Sequence, residues 1–449
     1  MKKSLVLSGI LCATAFVGVV LIGTSLYRDT RTVQLKENVL YGDPGEAGGL
    51  TFTLSADLFD RVFWKTEHTL GAGKQGKTEC TADFSGDEPA ESGNEALAGQ
   101  EDYFQICWGY DGIDGSDDSL YEKLIQENNI SSWYSKTFRL KDEYDYYPMR
   151  IELSLGHLRE DPEHEATADQ KKVIRRVEEE LASYFHIPVY DETMRVLITT
   201  DDEGKLMHGD LSTADTLQET ISSQCIVADH AVWFAFSRGY DVSGQAAGKY
   251  LNGLPGGAGV YRLPYQVKEG IPHFETDRLE QVHSISADTV LSDYIVDPDA
   301  RRILIHTERE GKHEITVLSS ETGEYVDKIL LKSLPGDEMV SLRYKEGAVM
   351  ISSEGRRIVL EEAQGSYRIS MDVETAEESY YCRDFAWNGD KLAVFAGEGQ
   401  GGYYVFVYGR EGLLYRGRYV ESMVMGEGRK DPEISFISYD DANVNLRWK

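Results

Sequence analysis

Four stretches in the C-terminal half of the chain repeat one design. DYIVDPDARRILIHTE (293–308), VSLRYKEGAVMISSE (340–354), RDFAWNGDKLAVFAGE (383–398) and ISFISYDDANVNLRW (434–448) each read as strand, tight turn, strand. Apolar and polar residues alternate along the strands, and Asp, Gly, Asn or Pro supplies the turns. The turns, centred on Asp297, Lys345, Asn388 and Asp440, recur every 43 to 52 residues. Between the hairpins lie further strand pairs, such as HEITVLSSETGEYVDKILL (313–331) and GYYVFVYGREGLLYRGRYV (402–420), so that each unit supplies four strands. A unit of about 40–50 residues cannot bury both faces of its own sheet, and units of this kind stack around an axis. The expected fold is therefore mainly all-β and β-propeller-like, with about six or seven four-stranded blades in a chain of this length and the clearest repeats over 290–449. The last unit stops after two strands at Trp448; LTFTLSADLFDRVFWKTEH (50–68) could complete it from the other end of the chain.

Towards the N-terminus the pattern weakens. CIVADHAVWFAFSRG (225–239) and TMRVLITTDDEGKLMHGDL (193–211) read as further strand pairs. Two helical stretches interrupt them: SLYEKLIQENN (119–129), and a second over 168–185 that places Val173, Val177, Leu181 and Tyr184 on one face. These are insertions in a blade or part of a small α+β subdomain, and a propeller-like half over 220–449 behind a distinct mixed domain is the competing layout. The segment 84–102 is polar and Gly-rich and reads as a loop. The stretch 239–259, with seven glycines, reads as a surface loop near a propeller rim.

Residues 4–27, SLVLSGILCATAFVGVVLIGTSLY, form an uncharged run of 24 residues. At 1.5 Å per residue that is long enough for a bilayer core of about 30 Å. A cleaved signal would have a shorter apolar region, and cutting after Ala15 would expose the apolar stretch 16–22. Lipidation at Cys12 is disfavoured by the bulky Leu11 before it. Lys2 and Lys3 favour a cytoplasmic N-terminus. The layout is a cytoplasmic tail, transmembrane anchor and flank over 1–31, then an extracytoplasmic domain over 32–449. Gly9/Ala13 and Thr14/Gly18 have the spacing of close-packed membrane helices, which is common by chance in apolar helices.

With 77 acidic against 46 basic residues, the formal net charge is -31. Such a surface repels nucleic-acid phosphates, so no nucleic acid is expected as a partner. Cys80, Cys107, Cys225 and Cys382 in the outer region allow three disulfide pairings, or none; no C-x-x-C pair supports a zinc ribbon or thioredoxin-like site.

The octapeptide GAGKQGKT (71–78) fits the phosphate-loop pattern at every fixed position. A phosphate loop, however, follows a buried parallel strand and opens a helix whose N-terminus meets the phosphates. Here the preceding DRVFWKTEHTL alternates like an exposed strand, and the following ECTADFSGDE runs into Gly86 and Pro89. The octapeptide is read as a hairpin turn, and no nucleotide is expected. WGYDGIDGSDDS (108–119) gathers Asp111, Asp114, Asp117 and Asp118, but departs from the order of a calcium loop. HEATAD (164–169) begins like a zinc-protease motif, but Ala168 stands where the second histidine is needed. No G-x-S-x-G elbow occurs, and with so many acids any chosen carboxylate pair is uninformative. Accordingly no catalytic, cofactor-binding or metal residue is nominated, and no cofactor is expected.

The short MKK start, the single apolar helix, LYGDPGEAGGLTFTLSADLFDRVFWKTEH and the blade-like tail together resemble the layout of uncharacterised, singly anchored extracytoplasmic β-propeller-like proteins of Gram-positive bacteria. The resemblance implies a surface-exposed role and carries over no site residue. The expected function is a membrane-tethered, non-enzymatic binding or sensing module that meets the bilayer through its N-terminal helix and an extracellular ligand or membrane-protein partner through its loops. The alternatives are a carbohydrate-active hydrolase or lyase at the cell surface, and an accessory subunit of a membrane transport complex.

If GAGKQGKT is a turn, Lys77→Ala leaves folding unchanged and ATP does not raise the Tm. A thermal-shift titration showing ATP stabilisation that is lost in the variant would reverse this.

Overall fold

The computed structural model describes residues 34–58, 62–71, 77–82, 103–108, 119–130, 132–143, 145–147, 149–154, 168–190, 193–201, 204–213, 221–240, 243–268, 271–335, 339–375, 382–398, 402–422 and 443–449. The apolar run 4–27, the loop 84–102, the aspartates 111, 114, 117 and 118 and the start of HEATAD lie outside them. Among the described residues no helix is long and apolar enough to cross a membrane. The chain is mostly β and divides into two compact units. One comprises 1–99, 348–361 and 369–449; the other comprises 100–347 and 362–368.

The repeats of the C-terminal half are antiparallel meanders of four strands. Strands Val290–Asp297, Arg302–Arg309, Lys312–Ser319 and Tyr325–Leu331 form one sheet in chain order. Ser341–Lys345, Ala348–Ser352, Arg356–Ala363 and Ser366–Glu374 form the next. Cys382–Trp387, Leu392–Glu398, Gly402–Gly409 and Gly412–Ser422 form a third, to which Gln34–Gly42 adds a fifth strand. That added strand was not expected from its sequence. Several hairpins close through two residues that both have positive φ: Asp229/His230, Glu310/Gly311, Glu346/Gly347 and Gln364/Gly365. Turns of this hand match the right-handed twist of the strands they join.

A fourth sheet closes the chain on itself. Asn443–Trp448 pairs antiparallel with Leu50–Leu58, with Leu50 opposite Trp448 and Ser55 opposite Asn443. Val62–Thr69 and Lys77–Ala82 complete it. The C-terminal strand is thus completed by the segment expected for it. The same pairing places Lys77 opposite Glu67 and Thr78 opposite Thr66 in a hairpin, where a phosphate loop would require a helix.

Apolar alternation becomes packing between successive sheets. In the first unit, Phe52, Leu54 and Leu446 of the closing sheet are buried with Phe395, Tyr403, Val405 and Tyr419 of the 382–422 sheet. The Phe52 ring lies 5.5 Å from Phe395 and 5.4 Å from Tyr403. The other face of the 382–422 sheet, with Phe385, Val394, Phe406 and Tyr408, packs on Met350, Val359, Met371 and Val373.

The second unit holds a five-stranded sheet built on Ile221–Ala228, Ala231–Arg238 and Gly259–Lys268, with the short strands Ile271–Phe274 and Glu280–Ser284 both paired to the last. Its Trp233, Ala235 and Val260 pack against Leu291, Ile303, Ile305 and Leu318 of the 290–331 sheet. Its other face, with Phe234, Phe236 and Tyr261, meets Phe185 at ring distances of 6.1, 5.3 and 5.1 Å. Phe185 follows the helix Ala168–Tyr184, whose Val177 and Leu181 are buried while Val173 and Tyr184 flank them, as the periodicity requires. The helix Ser119–Asn128 adds Tyr121 and Leu124 to the same core.

Among the described residues, those of 103–213 form a two-stranded sheet and a three-stranded one beside the helices, an α+β arrangement the sequence left open. The glycine-rich stretch 239–259 is not simply a loop. Gly244–Leu251 is a helix, N-capped by the Ser243 side chain, and it buries Ala247, Tyr250 and Leu251. Its three apolar anchors outweigh the low helix propensity of its two glycines. Of the cysteines, Cys225 and Cys382 are free thiols.

One brace occurs twice. In the 290–331 sheet the register slips between Leu291 and Asp293; in the 382–422 sheet it slips between Cys382 and Asp384. At each bulge an aspartate uses both carboxylate oxygens on backbone amides. Asp293 accepts from Tyr294 N at 2.8 Å and Leu342 N at 2.6 Å. Asp384 accepts from Phe385 N at 2.8 Å and Leu446 N at 2.6 Å. Each therefore ties its own strand to the first strand of a following repeat. The 290–331 sheet also buries a histidine pair, with His306 Nε2 3.2 Å from His313 Nδ1 and His313 Nε2 2.7 Å from the Pro335 carbonyl. The carbonyl can only accept, so His313 donates to it from Nε2 and accepts at Nδ1 a hydrogen bond from His306 Nε2. Burial and the neighbouring His313 push the His306 pKa down to about 3.

Asp384→Ala leaves two amides without their acceptor and costs about 1–3 kcal/mol, read as a lower urea midpoint. A midpoint equal to that of the parent protein would show that Asp384 does not brace the sheet. Because the folded state holds His306 far below its unfolded pKa near 6.5, the unfolded chain binds the proton first, and stability drains away as pH falls from about 6.5 towards 3. Urea midpoints measured from pH 7 to 4 therefore fall less steeply in His306→Leu than in the parent; equal slopes would refute this.

Candidate functional site

The hairpin that buries the histidine pair on one face carries a polar cleft on the other. In register, Thr307 stands opposite Glu314 and Arg309 opposite Lys312, whereas His306 and His313 alternate out of that face. Period-2 alternation thus separates a buried face, which also holds Glu308 paired with Arg238, from an open charged one within the same two strands. The connection from the preceding sheet, residues 283–289, supplies the facing wall. The resulting open cleft has a volume of about 390 Å³ and is lined by His283, Ser284, Ser286, Thr289, Thr307, Arg309, Lys312, Glu314 and Lys328, among others.

Local structure fixes each wall. The Glu310/Gly311 turn has φ values of 52° and 73°. It holds Arg309 and Lys312 side by side, and its Gly311 amide donates to Glu308 Oε1 at 2.7 Å. The strand bearing His283 and Ser284 lies against Gly259, where a Cβ would come within 2.4 Å of the His283 carbonyl oxygen. Only glycine permits that approach. Asp288 anchors the connection: its carbonyl accepts from Arg238 Nε at 2.8 Å, and its carboxylate pairs with Arg309 at 3.0 Å.

Charge in the cleft is mixed but more cationic than the chain as a whole. Glu314 and Lys328 form an ion pair at 2.5 Å, both side chains partly exposed. Lys312 has no ion pair among the described residues. Burial lowers the pKa of His283, with Glu314 pulling it up and Lys328 pulling it down. The cleft thus offers hydroxyls, ammonium and guanidinium groups, and a mostly neutral imidazole: the components of a polar recognition site. Among the described residues no cluster of three or more His, Cys, Asp or Glu side chains has the geometry to hold a metal ion.

None of these residues was nominated from sequence. They come from 283–289, 307–314 and 328, and no local motif joins them. The glycine-rich 239–259 segment, read from the sequence as a surface loop near a propeller rim, supplies structural support: Gly259 admits the His283 strand, and Gly244 lies against Asp288.

No protein family matches the sequence, and no curated protein matches it. Solved structures do. One is the Cps50 (Swd1) β-propeller domain of Myceliophteria thermophila, at 10% identity over 51% of this chain and 70% of that chain, with a TM-score of 0.28. Another is Saccharomyces cerevisiae Sqt1, at 13% identity over 51% of this chain and 60% of its own, with a TM-score of 0.26. A protein of unknown function from Desulfotomaculum acetoxidans matches at 9% identity over 81% of this chain and 94% of its own, with a TM-score of 0.28. At these TM-scores the likeness carries no argument about activity, and the site rests on its own geometry.

Proposed function

We propose that this chain is a membrane-tethered, extracytoplasmic binding module: a β-propeller-like scaffold that presents the 283–328 cleft to a small polar ligand and does not turn it over. The cleft is the observation that carries this reading. Its lining is suited to hydrogen bonds and charge pairing; of the carboxylates that line it, Glu314 is tied to Lys328 and Glu310 sits on the turn. The two braced aspartates, both half-buried, have both oxygens committed to backbone amides. Support for the scaffold comes from meander sheets that pack face to face within each unit, and from a final sheet completed by strands from both chain ends. Support for the tether comes from the uncharged 4–27 run.

Full-length protein in nanodiscs, screened against soluble anions, sugars and oligosaccharides, should show saturable thermal stabilisation by a soluble polar ligand with no product formed. Ser284→Trp, which fills the cleft mouth, should abolish that stabilisation. Turnover of any glycan, or stabilisation indifferent to Ser284→Trp, would overturn the proposal. Recovery of the protein in soluble form, outside the membrane fraction, would overturn the tether.

A further inference from the structure

Resting on that reading, the cleft can be assigned a ligand class. We propose that it binds a small, doubly charged oxyanion between Lys312, Arg309 and Lys328, and that His283 takes up a proton as the anion enters.

The first ground is an unfavourable juxtaposition of charges. Like charges directly opposite each other on paired strands repel. Arg309 and Lys312 are direct partners at the mouth of a two-residue turn, a place where any residue tolerant of the turn would fit without that cost. Arg309 is compensated by Asp288 at 3.0 Å. Lys312 has no such partner among the described residues. On a chain whose formal net charge is -31, a cation with no ion pair among the described residues that shares a cleft with Arg309 and Lys328, as well as with Glu310 and the already paired Glu314, is an arrangement that an anion completes.

The second ground is the lining. Ser284, Ser286, Thr289 and Thr307 bring hydroxyl donors to the same space, and among the described residues no Phe, Tyr or Trp lines it for a sugar to stack on. Lys328 is held by Glu314 at 2.5 Å, with side chains 44% and 30% exposed, so it can share its ammonium with a ligand at little cost.

The third ground is His283, which shares the cleft with charges from three strands, a turn and the connection. Glu314 and Lys312 come from one strand, Lys328 from the next and Arg309 from the third; Glu310 comes from the turn and Asp288 from the connection, through its pair with Arg309. An anion placed among them adds negative charge beside the ring and favours the imidazolium, which then donates a further charge-assisted hydrogen bond. Since the anion raises the histidine's proton affinity, binding takes up a proton and tightens as pH falls through the bound-state pKa.

Isothermal titration calorimetry of the full-length protein in zwitterionic nanodiscs, at constant ionic strength, tests this with inorganic sulfate, whose charge does not change near neutrality. The expected result is saturable binding, about three- to tenfold tighter at pH 6 than at pH 8, since a tenfold change accompanies each unit of pKa shift. Proton uptake should be visible as heats that depend on the ionisation enthalpy of the buffer. Lys312→Ala, at an exposed turn position and checked by an unchanged ligand-free Tm, should weaken binding at least tenfold. His283→Asn should keep the pH 8 affinity and lose the proton uptake. Inorganic phosphate and succinate compared at pH 8 distinguish a tetrahedral from a carboxylate ligand, and tighter binding of either supports the site. Absence of sulfate binding, binding untouched by Lys312→Ala, or binding without proton uptake would overturn the inference. If sulfate fails while a sugar stabilises the protein in a Ser284→Trp-sensitive manner, the oxyanion assignment falls and the binding-module reading stands. If nothing in either screen binds, both fall.

Discussion

Each four-stranded repeat has two faces and only one edge-to-edge neighbour within its own sheet, so its stability depends on what covers those faces. The carboxylate braces address that constraint. Asp293 and Asp384 sit at equivalent bulges, each extending a carboxylate to the amide of a strand that belongs to a later sheet. A side chain that bonds across sheets fixes the register between repeats, which face-to-face hydrophobic contact alone specifies weakly. The apolar layers then fill in behind it, Trp233 against Ile303 and Ile305, and Phe52 against Phe395 and Tyr403. Burial pushes the Asp293 carboxyl up despite its two amide donors and Arg343, so the brace holds a charge that the interior alone would disfavour.

The pairing of Asn443–Trp448 with Leu50–Leu58 addresses the same problem at the chain ends. An unpaired C-terminal strand would present a row of open amides and carbonyls. Pairing it with a strand from nearly 400 residues earlier satisfies one side of it and buries Leu446 completely, with the C-terminal strand at the outer position of its sheet. The strand Gln34–Gly42 covers a further edge, that of Gly412–Ser422, where Glu37 accepts from the hydroxyls of Tyr415 at 2.6 Å and Tyr419 at 3.1 Å. Within the second unit, the charged face of the 302–319 hairpin is free to carry chemistry, because its opposite face supplies the burial that holds the hairpin in place.

What could be read in advance, and what could not, follows from the range of the interactions. The hairpins at 293–308 and 383–398 were legible because alternation and turn residues are local signals. The helix over 168–184 was legible because Val173, Val177, Leu181 and Tyr184 recur at its own period. Segment 239–259 misled because seven glycines obscure the Ala247, Tyr250 and Leu251 anchors, whose burial depends on the surrounding core. The Asp293 and Asp384 positions are visible as an Asp-aromatic pair in two repeats, yet their role depends on amides 49 and 62 residues away.

By itself, the sequence determined that the chain is mostly β, that its C-terminal half repeats, that its last strand needs a partner from elsewhere, and that GAGKQGKT is not followed by a helix. Each of these depends on local periodicity, turn chemistry or backbone propensity. Only the tertiary structure decided that Asp293 and Asp384 bind sheets together, that the glycines at 244 and 259 serve close approach, and that His283, Arg309, Lys312 and Lys328 share one cleft. Those outcomes depend on which residues meet after distant strands pair. A one-residue change of register would turn every one of the hairpin's cleft side chains to the opposite face.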